Sequence, residues 1–145
     1  MFKSLVTAAV GGVALAAAGP VFAHGGDETV TTSFEQAIPN APGKSLIALV
    51  VDYPPGGTSA PHLHANSAFI YAHVISGEIE SKVNDGPVKA YRAGEGWHEP
   101  PGSSHPVSRN TSKTNPAKLL AIIVADSSEK ELTTTVLHSH EGGVR

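Results

Sequence analysis

The chain has 145 residues, a length that suits one hydrophobic core. A net charge of -3, with no Lys/Arg cluster interleaved with aromatics, argues against nucleic acid as a partner. Fifteen Gly and eleven Pro favour a fold rich in turns over a helical one, and the absence of Cys excludes disulfides and thiolate metal ligands.

In chain order, residues 1–23 read as a cleaved signal peptide. Lys3 supplies a short positive region, Leu5 to Ala18 an apolar stretch, Gly19-Pro20 a helix break, and Val21-Phe22-Ala23 an A-x-A-like cleavage box. The apolar run falls short of the roughly 20 residues that a spanning helix needs, so no stable membrane anchor is expected. The expected address is periplasmic or secreted, with His24 as the first mature residue.

Residues 24–43 are polar and include Ile-Pro-Asn-Ala-Pro-Gly, which reads as an N-terminal arm or edge strand. Residues 44–136 read as one β domain. Ser45 to Tyr53 is apolar and β-branched, and ends at Pro54-Pro55-Gly56-Gly57; Phe69 to Ile75 ends at Ser76-Gly77. Glu78 to Val83 alternates and stops at Asn84-Asp85-Gly86-Pro87, a hairpin signal. Leu119 to Val124 is a continuous buried-type strand, Glu131 to Val136 is the last one, and 137–145 reads as a flexible polar tail. Short strands at this spacing, without helical periodicity, predict an all-β sandwich or barrel.

His62-Leu63-His64 carries the first chemical signal. In a strand, residues two apart share a face, so both imidazoles project to one side. Downstream, Gly94 to Glu99 leads into Pro100-Pro101-Gly102 and then His105, so a tight turn brings a third imidazole back towards the pair.

From Tyr53 to Val124 the chain resembles the cupin family. Gly56, His62, His64 and Gly77 fit its first motif, and Gly94, Pro100, Gly102 and His105 its second, with Asn110 one residue late. The resemblance implies a cupin-type jelly-roll β-barrel holding one divalent transition metal on His62, His64 and His105. The family's usual fourth ligand, a Glu, has no counterpart: Ala68, Phe69 or Ile70 takes its place, and 65–76 contains no acid and no Gln. The implied site is three neutral imidazoles, similar to that of the three-His cupin dioxygenases. Such a set leaves two net positive charges on a divalent centre and favours an anionic chelating substrate. Imidazole suits several metals, which leaves Fe, Cu, Zn, Ni or Mn.

Glu99 is the one candidate catalytic residue, as general acid or base near the metal, the alternative being a turn-flanking acid. His98 is its neighbour, and only one of the two can point inward. His73 has the parity opposite to Ile70, Ala72 and Val74 and faces away from the interior, with a fourth-ligand role as the alternative. Glu78 and Glu80 read as solvated. His24 reads as a polar, flexible start, the alternative being copper chelation with the new N-terminal amine; His138 and His140 read as structurally irrelevant tail residues, the alternative being weak metal binding.

The leading functional expectation is a metal-dependent, non-haem iron dioxygenase-like enzyme acting on a small anionic or enol-type organic substrate. The alternative is a periplasmic cupin that binds a metal or small ligand without turnover. A third reading is a structural homodimer with a vestigial site. The family commonly dimerises by sheet packing, a surface for which Tyr71, His73 and Trp97 are the candidates.

Overall fold

The computed structural model describes residues 20–21 and 26–136. Most of the expected signal peptide, His24, and the tail with His138 and His140 lie outside the described residues. Among the described residues there are twelve strands and no helix. Strand β1 is Pro20–Val21, β2 Thr29–Ala37, β3 Lys44–Tyr53, β4 His62–His64, β5 Phe69–Ser76 and β6 Glu78–Lys82. Then follow β7 Lys89–Arg92, β8 Gly96–Glu99, β9 Ser104–His105, β10 Val107–Arg109, β11 Ala117–Asp126 and β12 Thr133–Thr135.

The strands form a six-stranded sheet, β1-β2-β3-β11-β5-β8, and two three-stranded sheets, β10-β6-β7 and β12-β4-β9. All pairings are antiparallel. This is the all-β, cupin-type jelly roll that the motifs imply. The polar 24–43 stretch contributes β2, which pairs with β3 along nearly its whole length. Strand β1 pairs Pro20 with Thr31 and Val21 with Val30. It falls inside the expected leader, so cleavage after Ala23 would remove it.

The two central strands, β3 and β11, pair over ten residues without a register shift. Their alternation is the reason for the interior. Ile47, Val51 and Tyr53 on β3 face Leu119, Ile123 and Ala125 on β11 across one buried face, joined by Ile70, Ala72 and Val74 of β5. Burying each large aliphatic side chain stabilises the fold by roughly 1.5–3 kcal/mol.

Turn chemistry fixes the connections. Asn84 takes a positive φ of 50° between β6 and β7, as the hairpin signal requires. Gly102, at φ 71°, closes the Pro100–Ser103 turn that delivers β9. Asn110, the displaced motif residue, is buried and ties two loops: its Nδ2 donates to the carbonyls of Pro54 and Asn115 and its Oδ1 accepts from Ser112 N. Strands β7 and β10 carry no sequence signal because they are short and half polar.

Candidate metal centre

Strands β4 and β9 lie side by side, with His62 directly opposite His105. The i, i+2 spacing puts His64 on the same face as His62. The three rings therefore cluster: the His62 centroid lies 4.7 Å from that of His64 and 5.1 Å from that of His105. One ligand nitrogen from each lies within 4.8 Å of the others, and His64 and His105 are buried.

The rings are oriented by neighbours. His62 Nδ1–H donates to the Ala60 carbonyl at 2.8 Å, which leaves the Nε2 lone pair free. His105 Nε2 is hydrogen-bonded to the buried Ser81 hydroxyl at 2.8 Å, which leaves Nδ1 turned to the cluster. Such outer partners fix tautomer and ring plane in metal sites. Sequence reasoning did not single out Ser81. Its signal is a Ser two residues after Ile79, at an inward position of an alternating strand.

Glu99 enters from β8, which sets it beside Ile70 of β5. Alternation sends Trp97 and Glu99 inward and leaves His98 exposed on the outer face. Trp97 Nε1–H donates to Glu99 Oε1 at 3.0 Å, and the same oxygen lies 3.5 Å from His105 Nδ1. Glu99 Oε2 sits 2.7 Å from His64 Nε2. Yet among the described residues neither atom of that second pair has a hydrogen-bond partner of acceptable geometry, and both are fully buried.

A buried N···O contact of this kind is bridged by a proton on His64 Nε2 or by a metal ion, and the other two imidazoles beside it complete a metal's donor set. Donors about 2.1 Å from one tetrahedral ion stand about 3.4 Å apart, and the three imidazole nitrogens lie within 4.8 Å of one another. The site therefore fits a divalent metal. A carboxylate, Glu99, stands beside the three imidazoles, delivered by the second motif. Ile70 occupies one candidate place for the missing first-motif acid, and its register partner Glu99 supplies the acid from the adjacent strand. An ionised Glu99 beside the site offsets one of the two positive charges that three neutral imidazoles leave on a divalent ion.

Burial pushes His105 down to about 4 and also lowers His62, so both are neutral imidazoles, the ligating form, at neutral pH. Burial alone would raise the Glu99 carboxyl; His64 and the Trp97 N–H are among the neighbours that outweigh it and hold it below the usual carboxylate range. The remaining candidates stay out. His73 is on the outer face, 3.3 Å from the Tyr71 hydroxyl, as its parity predicts. His98 stacks near Phe69 at 6.1 Å. Glu78 and Glu80 pair with Arg92 and Arg109. Trp97 packs inward against Tyr91, so it is not part of an outer dimer surface.

The centre opens into a cavity of about 700 Å³. The Tyr53 hydroxyl lines it, bonded to Ser59 and Ser108 at 2.8 Å each, and burial pushes its pKa up to about 12.

The sequence matches the Cupin domain family over residues 49–123, a span that holds all three histidines and Glu99. No curated protein is similar in sequence. Among solved structures, the fold is similar to a conserved Klebsiella pneumoniae protein with a double-stranded β-helix domain. That pair shares 19% identity and a TM-score of 0.58, covering 87% of this chain and 91% of the other. A cupin domain from Schizosaccharomyces pombe is similar at 18% identity and TM-score 0.58, covering 80% and 70%. Recombinant oxalate oxidase in complex with glycolate is similar at 26% identity and TM-score 0.52, covering 67% of this chain and 50% of that one. With both motifs in place on a jelly roll and the family matched over half its length, the chain belongs to the cupin family.

Proposed function

We propose that this cupin is a metal-dependent enzyme, of the non-haem iron dioxygenase-like kind, acting on a small organic anion. His62, His64 and His105 would hold the ion. When bound, it would supply a Lewis acid and a template for substrate and oxygen. The chain's own residues supply the rest. Ser81 and Ala60 hold two rings in their ligating tautomers, and Trp97 anchors one carboxylate oxygen. Glu99, within reach of anything bound beside His64, accepts a proton from an acidic C–H or O–H of the substrate. The observation that carries this reading is the group of three histidines whose ligand nitrogens lie within 4.8 Å of one another, with the buried Glu99 carboxylate 2.7 Å from His64 Nε2. Glycolate in the related oxalate oxidase is a precedent for a small anion in this fold, although this chain spans half of that protein.

The experiment combines metal content with turnover. After dialysis against a weak chelator, wild type and His73→Ala should keep about one metal per chain. His62→Ala, His64→Ala and His105→Ala should each lose most of it. Oxygen uptake by the Fe(II)-loaded protein is then followed with glycolate, oxalate and an enolisable β-dicarbonyl. Glu99→Gln should lower uptake by about 10²–10⁴-fold, the range of general-base losses, with less effect on metal content. Stoichiometric metal with no uptake would favour the alternative, a non-catalytic periplasmic cupin that captures metal or a small ligand. Loss of metal in His73→Ala would overturn the ligand set.

Two further expectations stand as proposals. The leader sequence supports export to the periplasm or medium, with no stable membrane anchor. The outer face of the six-stranded sheet supports a homodimer. There Phe34, Phe69, Tyr71 and Ile75 are each 43–50% exposed in the monomer.

A further inference from the structure

The floor of the cavity is the inner face of the six-stranded sheet, and strand register orders it into rows. Ile47, Ile123, Ile70 and Glu99 form one row across β3, β11, β5 and β8. The next row is Leu49, Ala121, Ala72 and Trp97, and the third is Val51, Leu119 and Val74. The outer rows carry branched aliphatics, whereas the middle row carries two alanines side by side. Ala72 and Ala121 both line the cavity; Ala72 is itself buried at 1% exposure, so the hollow in the aliphatic floor lies at the partly exposed Ala121, one row from the carboxylate beside the centre.

We infer that the ligand is an amphipathic chelator, with one polar head at the histidine–Glu99 cluster and an apolar body seated over Ala121. The inference rests on the metal-centred reading above and adds the substrate class. A cavity of about 700 Å³ is the size of sites for drug-sized molecules. A two-carbon acid would leave most of it to water, much of it against the aliphatic floor. The charged lining also limits the ligand to one anionic group. Besides Glu99, the residues lining the cavity include Glu28, Glu35, Glu129 and Glu131 against the single cationic residue Lys130. A second negative charge on the body would meet that excess.

The test uses the full mature chain loaded with Ni(II), and calorimetric titration with acetohydroxamate and octanohydroxamate, which share a chelating head and differ in apolar length. Octanohydroxamate should bind at least about a hundredfold more tightly, since each buried methylene adds up to a few-fold in affinity. Ala121→Leu fills the hollow and should remove at least about tenfold of that gain, with acetohydroxamate affinity and nickel content unchanged. Ala121→Val should fall between the two, which guards against a folding defect in the larger variant. Equal affinities for the two hydroxamates, unchanged in Ala121→Leu, would overturn the apolar-body inference and leave the metal centre standing. If octanohydroxamate bound equally with and without Ni(II) while acetohydroxamate did not bind, the cavity inference would stand and the metal reading would fall. Binding of neither would overturn both.

Discussion

At the scale of the residue, the centre is built from groups that are neutral or ionised because of where they are buried. His105 is the clearest case. Its ordinary value of 6.5 falls to about 4 because the interior disfavours the imidazolium. An unfolded chain therefore takes up a proton near pH 6.5 that the folded chain refuses until about pH 4. The stabilisation is fully present above 6.5 and is lost as pH falls through that window, costing roughly 3 kcal/mol. The lowered His62 and Glu99 shifts act in the same direction. Thermal melts of the metal-free protein should thus show Tm falling steadily from pH 6.5 to 4, and falling less in His105→Gln. A flat Tm across that range would contradict the burial argument. His62 and His64 were legible in the sequence because spacing of two in a strand fixes a shared face, and His105 because the Pro-Pro-Gly turn brings the chain back. Glu99 was only half legible. Alternation states that His98 and Glu99 point opposite ways, but which way depends on the pairing of β8 with β5, a non-local register that no local pattern encodes.

At the scale of the element, the long apolar strands β3, β5 and β11 announced themselves, since ten or eight residues of alternating or continuous apolar character have no other reading in a helix-free chain. Strands β7 and β10, Lys89–Arg92 and Val107–Arg109, did not. They take their conformation from β6 between them, and Arg109 is held there by two hydrogen bonds to Glu80. The joint between the long sheet and this small one is Gly77, at φ 75° between β5 and β6. A Cβ there would meet Ala117 Cβ, at the start of β11, and the carbonyl of Pro116 just before it, both at 2.8 Å. Gly77→Ala should therefore cost about 2–4 kcal/mol, adding left-handed backbone strain to an overpacked contact. The measurement is denaturant unfolding with metal content per folded chain, and the metal ratio should not change. A midpoint equal to wild type would show that the joint can move, and that the turn does not pin the two sheets together.

At the scale of the whole molecule, one surface is not explained by the monomer. On the outer face of the large sheet, register aligns Phe34, Ala48, Ile122, Tyr71 and His98 in one row. The rows beside it read Gln36, Leu46, Val124, Phe69 and Thr31, Val50, Leu120, His73. No charged side chain interrupts these rows. The ion pairs Lys44–Asp126 and Lys118–Asp52 sit at the two ends of β3 and β11 and frame them. An apolar face of this breadth, framed by balanced charge, is self-complementary: a second copy related by a two-fold axis presents the same apolar rows and the same alternating charges at its rim. The proposed homodimer should therefore appear in sedimentation velocity at micromolar concentration. Ile122→Glu places a carboxylate in the middle row, on the face away from the metal, and should shift the protein to monomer while leaving metal content intact. It separates dimerisation from the centre because Ile122 and Ile123 point to opposite sides of the same strand. A wild type that sediments as a monomer at tens of micromolar, or an Ile122→Glu variant that still dimerises, would remove this face as the contact between copies.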